Sequence, residues 1–197
     1  MSHARRVATG VAVALLAASA SAHEGAGVAG GFASGFVHPI NGMDHVIAMV
    51  AVGLWGAFLG RPAIWVLPIV FPMVMALGGA IGVSGLHLPA VETGIALSAI
   101  VLGAMVAFAV RPPLWVAAVI VGAFAIFHGY AHGVELPQAA DPIAYSLGFV
   151  IATGLLHLAG IAIGLVVRWP GGTLIVRGCG ALIGVAGVAF LLGWIHA

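Results

Sequence analysis

Apolar residues in the 197-residue chain form long runs, and each run ends at prolines, arginines or a short polar segment. A helix of about 20 apolar residues can cross a hydrocarbon core of roughly 30 Å. Beyond the N-terminal segment, the runs predict six spans at residues 41–60, 63–86, 89–110, 114–133, 142–167 and 173–195. We therefore expect an all-α fold, a six-helix bundle in a lipid bilayer.

The N-terminal segment has the pattern of a secretory signal. Arg5 and Arg6 precede a short apolar stretch, which ends in Ala-Ser-Ala at Ala22. A charged segment, a short apolar segment and a small-x-small site are the three parts of a signal peptide. We predict that residues 1–22 are removed and that 23–197 form the transmembrane domain. The alternative is an uncleaved first span, for which the apolar stretch is short.

Composition narrows the class of protein further. Hydrophobic residues make up 63% of the chain and charged residues 6%, and the net charge is +1. No basic patch is present, so we expect no nucleic-acid partner. Cys179 is the only cysteine, which excludes a disulfide within the chain and a cysteine-rich metal site.

The arginines predict an orientation. If residue 23 lies outside the cytoplasm, the six spans place every later arginine on the cytoplasmic side: Arg61, Arg111, Arg168 and Arg177. This agrees with the positive-inside rule, and the opposite orientation would violate it at every arginine. We expect both termini of the mature chain to lie outside the cytoplasm.

Small and cyclic residues interrupt the spans. Three segments place glycines one helical turn apart, which allows helix backbones to approach closely: Gly56 with Gly60, Gly160 with Gly164, and Gly180 with Gly184. Pro68 and Pro72 lie inside the second span, where each removes a backbone hydrogen bond. These features predict a compact bundle and a kinked second helix. They leave the oligomeric state open, a homo-oligomer included.

The first polar cluster is His38-Pro-Ile-Asn-Gly-Met-Asp44-His45, at the outer end of the first span. Ionisable side chains are costly in a membrane, and imidazole with carboxylate suits a divalent transition metal. Asn41 and Asp44 also have the spacing of a helix N-cap with a capping box. That alternative accounts for the amide and the carboxylate, but it leaves His38 and His45 unexplained.

The second cluster lies at the outer end of the fourth span. His128 and His132 are four residues apart, so they share one face of a helix, and Glu135 follows them. A histidine pair at this spacing with a nearby carboxylate is a chelating geometry. The alternative is a structural role, in which the two imidazoles form hydrogen bonds that hold neighbouring helices together.

Further polar residues, and Asn41 of the first cluster, suggest a path for the metal from the outer surface towards the midplane. Glu92 lies near the outer end of the third span, and His157 is about halfway along the fifth, one turn after Thr153. After cleavage, His23 would offer both an amine and an imidazole for capture of a metal. His157 has a structural alternative, a buried imidazole that is simply hydrogen-bonded.

The ligand types restrict the ion without identifying it. Imidazoles and carboxylates without thiolates suit Ni(II), Co(II), Zn(II) or Cu(II) better than Cu(I), Mg(II) or Ca(II). Because the general order of affinity favours Cu(II) at any such site, ligand chemistry cannot choose among the candidates.

The motifs resemble those of the HupE/UreJ family of nickel transporters. The segment from His38 to His45 looks like the family's HPxxGxDH signature, and the segments 127–137 and 152–157 are similar to its second and third blocks. The resemblance implies a secondary permease that takes up Ni(II), or in some relatives cobalt, for hydrogenase or urease maturation. It also implies a location in the bacterial inner membrane, with both termini of the mature chain on the periplasmic side. By the same resemblance, the metal-binding positions are His38, Asp44, His45, His128, His132 and Glu135.

We accordingly expect a transporter and not an enzyme, with the metal as its cargo and no resident cofactor. The chain has no phosphate-binding GxxxxGK[ST] motif and no HExxH motif. Neutral imidazole binds metal, so uptake should weaken as the pH falls through the histidine range. The alternatives are a haem-binding membrane protein, an intramembrane metalloenzyme and a purely structural bundle.

Overall fold

The computed structural model describes residues 28–136 and 141–195, and these residues contain seven α-helices and no β-strand. The helices are α1 (Val28–Asn41), α2 (Met43–Leu59), α3 (Ala63–Val83), α4 (Val91–Ala107), α5 (Leu114–Glu135), α6 (Pro142–Gly164) and α7 (Gly172–Leu191). A 3₁₀ turn, Leu165–Arg168, extends α6. The predicted signal peptide and His23 lie outside the described residues.

Each of the six predicted spans coincides with one helix, from α2 to α7, and the all-α fold is confirmed. Within the described residues, four helices are long and apolar enough to cross a membrane: α3, α5, α6 with its 3₁₀ extension, and α7. The bent pair α1 and α2 gives a fifth crossing if it counts as one span. The 17-residue α4 is an apolar helix below that length.

The first span begins differently from the prediction. Asn41 is the last residue of α1, and the chain bends by 78° between α1 and α2. The N-cap of α2 is Gly42, whose backbone is extended and which makes no side-chain capping bond. The capping alternative for Asn41 is therefore wrong. Asp44 lies in the first turn of α2, where the helix dipole favours a carboxylate.

α2 is the central helix of the bundle. Its side chains are buried along most of its length, and it packs against α1, α3, α4, α6 and α7. The surrounding helices are arranged in close pairs, α3 with α5 and α4 with α7, while α6 packs along both α1 and α2. The helix that carries Asp44 and His45 thus has protein on most sides, which holds those two side chains inside the bundle.

The outward surface of α3 is apolar. A stripe at four-residue spacing is more than half exposed, and it consists of Trp65, Ile69, Met73 and Leu77. The opposite face, which includes Leu67 and Phe71, is fully buried. An apolar face of this extent is unfavourable in water and favourable against lipid tails. The burial pattern therefore supports a membrane bundle.

Glycines bring the paired helices together. A Cβ atom on Gly129 of α5 would lie 2.7 Å from the carbonyl carbon of Met75 on α3. Gly53 of α2 likewise leaves no room for a Cβ against the backbone of His157 on α6, and Gly160 of α6 leaves none against Val50. These contacts between backbones fix the depth at which α6 lies beside α2.

The predicted glycine pairs are confirmed except at one position. Close backbone contacts occur at Gly56, Gly160, Gly164 and Gly180, and Gly184 receives the close approach of Gly103. Gly60 instead ends α2 with φ of 85°, and nothing lies within 4 Å of a Cβ placed there. A positive φ of this kind favours glycine, so Gly60 serves the turn and not helix packing.

Arginines gather at one end of the bundle, which we call the arginine end. The Arg111 guanidinium lies 4.6 Å from the centre of the Phe58 ring, and Nε of Arg177 donates a hydrogen bond of 2.7 Å to the carbonyl of Ala107. Phe58 and Ala107 lie at the C-terminal ends of α2 and α4. His45, at the N-terminus of α2, therefore lies at the opposite end of the bundle.

Candidate functional site

Four imidazoles meet at the end of the bundle opposite the arginines. We call His38, His45, His128 and His132 the histidine cluster. The ring centre of His45 lies 4.8 Å from that of His128 and 4.2 Å from that of His132, and the rings of His38 and His132 are 4.9 Å apart. The two clusters that the sequence predicted separately therefore form one site.

Local structure explains how three helices supply these rings. The bend at Gly42 lets His38 on α1 and His45 on α2 approach one point from different directions. On α5, His128 and His132 stand one turn apart on one face. His128 is fully buried, whereas His38 and His132 are partly exposed, so the cluster extends from the surface into the interior.

Asp44 orients His45. Its Oδ1 lies 3.3 Å from Nδ1 of His45, and both residues are more than nine-tenths buried. A carboxylate only accepts hydrogen bonds, so Nδ1 of the neutral imidazole carries the hydrogen and Nε2 presents its lone pair. Nε2 lies 3.3 Å from Nδ1 of His128 and also contacts Nε2 of His132. Two imidazoles thus converge on a nitrogen that Asp44 keeps available.

Ser98 orients His128 in the same manner. The Ser98 hydroxyl lies 2.6 Å from the carbonyl oxygen of Ile95 and 3.0 Å from Nε2 of His128. A serine has one hydroxyl hydrogen, and the short contact with the carbonyl oxygen requires it there. The hydroxyl oxygen therefore accepts a hydrogen bond from Nε2–H of His128. Nδ1 of His128 then carries a lone pair that faces His45.

The histidine cluster has an aromatic wall. The ring centre of Phe149 on α6 lies 4.4 Å from that of His132, and the Tyr145 ring lies 5.9 Å from that of His38. A cavity of about 480 Å³ between α3, α5 and α6 is lined by His132, Tyr145 and Phe149. Sequence reasoning missed these aromatic residues and Ser98, because apolar residues and a single serine are ordinary in a membrane helix.

Glu92 lies on the other side of Asp44. Both carboxylates line a cavity of about 230 Å³, which the C-terminal residues Phe190 and Ile195 also border. Glu92 is exposed, and Asp44 is 7% exposed. The predicted path residue Glu92 therefore shares a cavity with Asp44, the carboxylate that contacts His45 of the histidine cluster.

The remaining predicted residues lie in different places. Asn41 is exposed at the end of α1, and His157 is buried deeper in α6. Glu135 is the last residue of α5, which continues two residues beyond the predicted span, but its side chain lies outside the described part. Across residues 28–136 and 141–195, no three His, Cys, Asp or Glu side chains have the geometry of a preformed metal site.

The fold and the site define a polytopic helical membrane protein with an imidazole-rich site at one end. A family model described as HupE / UreJ protein matches residues 11–190. The chain is also similar to Protein HupE of Rhizobium leguminosarum bv. viciae, with 43% identity over 188 residues, which cover 95% of this chain and 98% of that protein. The chain therefore belongs to the HupE/UreJ family. No solved structure matches it.

Proposed function

We propose that this protein is a secondary permease that takes up a divalent transition metal, Ni(II), for hydrogenase or urease maturation. The observation that carries the proposal is the convergence of four imidazoles from three helices at one end of an apolar bundle. Grouping several ionisable side chains in a membrane protein is costly without a function.

The proposed binding site combines the histidine cluster with Asp44 and Glu135. Nε2 of His45 and Nδ1 of His128 face each other across 3.3 Å, and neither carries a hydrogen in the arrangement that Asp44 and Ser98 impose. Two lone pairs in this position repel each other, and a cation between them relieves the repulsion. Imidazole with carboxylate is a ligand set that suits Ni(II) and Co(II), and the family assignment favours nickel among these ions.

We propose that six helices, α2 to α7, cross the inner membrane after a signal peptide of residues 1–22 is removed. The arginine end would face the cytoplasm, and the histidine cluster with both termini would face the periplasm. The 17 residues of α4 span about 26 Å at 1.5 Å per residue, close to the thickness of the hydrocarbon core. The metal would then meet the histidine cluster first.

Uptake of radiolabelled Ni(II) and Co(II) by cells that express the chain tests this function, with Cu(II) and Zn(II) as competitors. We expect His45→Ala and His132→Ala to abolish uptake while the protein is still expressed. The matched control is His87→Ala, because His87 is exposed in the loop between α3 and α4. If the wild-type chain accumulates none of these metals, the transporter assignment is wrong. Uptake at the wild-type rate in both cluster variants would refute the ligand assignment.

The haem-protein alternative has no observation in its favour. Haem needs axial nitrogens on opposite faces of a wide porphyrin, whereas these imidazoles contact one another edge to face. A Soret absorption band in the purified protein would restore that alternative.

A further inference from the structure

Two polar atoms lie deep in α6 without a hydrogen-bond partner. They are Oγ1 of Thr153 and Nε2 of His157, and no described residue bonds to either. Thr153 is fully buried and His157 is 2% exposed. Leaving a buried polar group without a hydrogen bond is energetically costly, so two such groups one helical turn apart need an explanation.

The two atoms belong to one interior site. Thr153 and His157 are four residues apart in α6, so they share a face of that helix, and both side chains are buried. At 1.5 Å per residue, His157 lies roughly 22 Å along the helix from Pro142. This position is near the middle of the bundle, on the way from the histidine cluster to the arginine end.

Phe71 on α3 lies between this pair and the histidine cluster. Its ring centre is 5.6 Å from that of His128 and also 5.6 Å from that of His157. Pro68 and Pro72 are both inside α3, and neither has an N–H to donate to the preceding turn. The part of α3 that carries Phe71 therefore lacks two backbone hydrogen bonds, which lowers the cost of a local shift.

We propose that Thr153 and His157 form a second, deeper binding station for the transported cation, and that Phe71 separates it from the histidine cluster. This inference rests on the proposed function. A neutral imidazole nitrogen and a hydroxyl oxygen bind a partly hydrated divalent ion without a carboxylate. The station therefore holds the ion more weakly than the cluster does, as release towards the arginine end requires. The ion passes when the Phe71 ring moves aside.

The test separates transport from folding by the choice of substitution. Thr153→Val keeps the shape of the side chain and removes only the hydroxyl, which has no partner among the described residues. His157→Leu removes the imidazole. Thr173→Val is the matched control, because Thr173 is exposed at the start of α7. For each variant we would measure radiolabelled Ni(II) uptake by cells, and Ni(II) binding and the melting temperature of the purified protein.

We expect Thr153→Val and His157→Leu to lower the uptake rate at least tenfold while Ni(II) binding at the histidine cluster persists. The melting temperature of Thr153→Val should stay the same or rise, since it removes an unpaired polar group. Uptake at the wild-type rate in both variants would overturn the deeper station and leave the proposed function intact. So would a loss of uptake that accompanies a lower melting temperature and lost binding, because it indicates a structural role. If the wild-type chain transports no metal, both proposals fall.

Discussion

Replacing Ser98 with alanine tests whether the histidine cluster depends on a fixed imidazole tautomer. In the native protein, the Ser98 hydroxyl accepts a hydrogen bond from Nε2–H of His128, and the other nitrogen faces His45. Without the hydroxyl, the buried N–H has no acceptor, which costs about 1–3 kcal/mol. The ring can avoid that cost by moving its hydrogen to Nδ1, but this blocks the lone pair that faces His45. Either outcome weakens metal binding.

The loss of metal affinity expected for Ser98→Ala can be estimated in two ways. Loss of a hydrogen-bond partner that orients a metal ligand typically lowers metal affinity 10–100-fold, which corresponds to about 1.4–2.7 kcal/mol. This range agrees with the cost of leaving the N–H of His128 unpaired. We therefore expect Ser98→Ala to raise the half-saturating Ni(II) concentration for uptake roughly 10–100-fold at unchanged expression.

The matched control is Ser84→Ala. The Ser84 hydroxyl also donates to the carbonyl three residues earlier, at 2.7 Å, but Ser84 is exposed and its second partner is the backbone N–H of Leu86 instead of an imidazole. Its half-saturating concentration should equal that of the wild-type protein. If Ser98→Ala stays within twofold of wild type, the tautomer of His128 does not depend on Ser98 and the argument is wrong.

Three further predictions concern charge, protons and packing. Asp44→Asn keeps an acceptor for Nδ1 of His45 but removes the charge, so it should retain more Ni(II) uptake than Asp44→Ala, and equal loss in both would contradict the orienting role. Wild-type uptake should fall as the external pH falls through the acidic range, since protonated imidazole cannot bind metal, and a flat pH profile would contradict this. Gly129→Ala should lower the melting temperature, because its Cβ would overlap the backbone of Met75, whereas Gly154→Ala, with nothing within 4 Å, should leave the melting temperature unchanged or raise it.

The positions of the helices could be predicted from the sequence, because a lipid bilayer requires apolar segments of a certain length that end at polar or charged residues. The second span was predicted at residues 63–86, and α3 is Ala63–Val83. The bend after Asn41 could not be predicted in this way. Asn41 followed by Asp44 has a capping pattern, but the helix begins one residue later, at Met43 after the extended Gly42. A local sequence pattern cannot show which of two adjacent residues becomes the N-cap of α2, because the packing of α1 against α6 also determines where the chain bends.

The chemistry of the site was predictable by residue type, and its geometry was not. Ionisable side chains are energetically costly in a membrane and few are present in this chain, so every member of the histidine cluster could be identified from the sequence. A residue that orients the cluster, such as Ser98, costs less energy in a membrane and therefore cannot be recognised from the sequence as a functional candidate. Ser98 resembles any serine that bonds to its own helix, and only the position of His128 beside it reveals a second contact.

The helices around the deeper imidazole are held against α2 to different degrees. Glycine contacts hold α6 against α2 at the level of Gly53 and His157, so the deeper imidazole cannot move far relative to the central helix. α3 carries Phe71 between two prolines and packs mainly on α5, with a smaller contact to α2. The α2–α6 pair therefore faces a helix that lacks two backbone hydrogen bonds near Phe71, while glycine contacts such as that of Gly129 with Met75 hold the C-terminal half of this helix against α5. For the proposed permease, this arrangement places the local flexibility in the part of α3 around Phe71 and keeps the backbones of α2 and α6 fixed relative to each other.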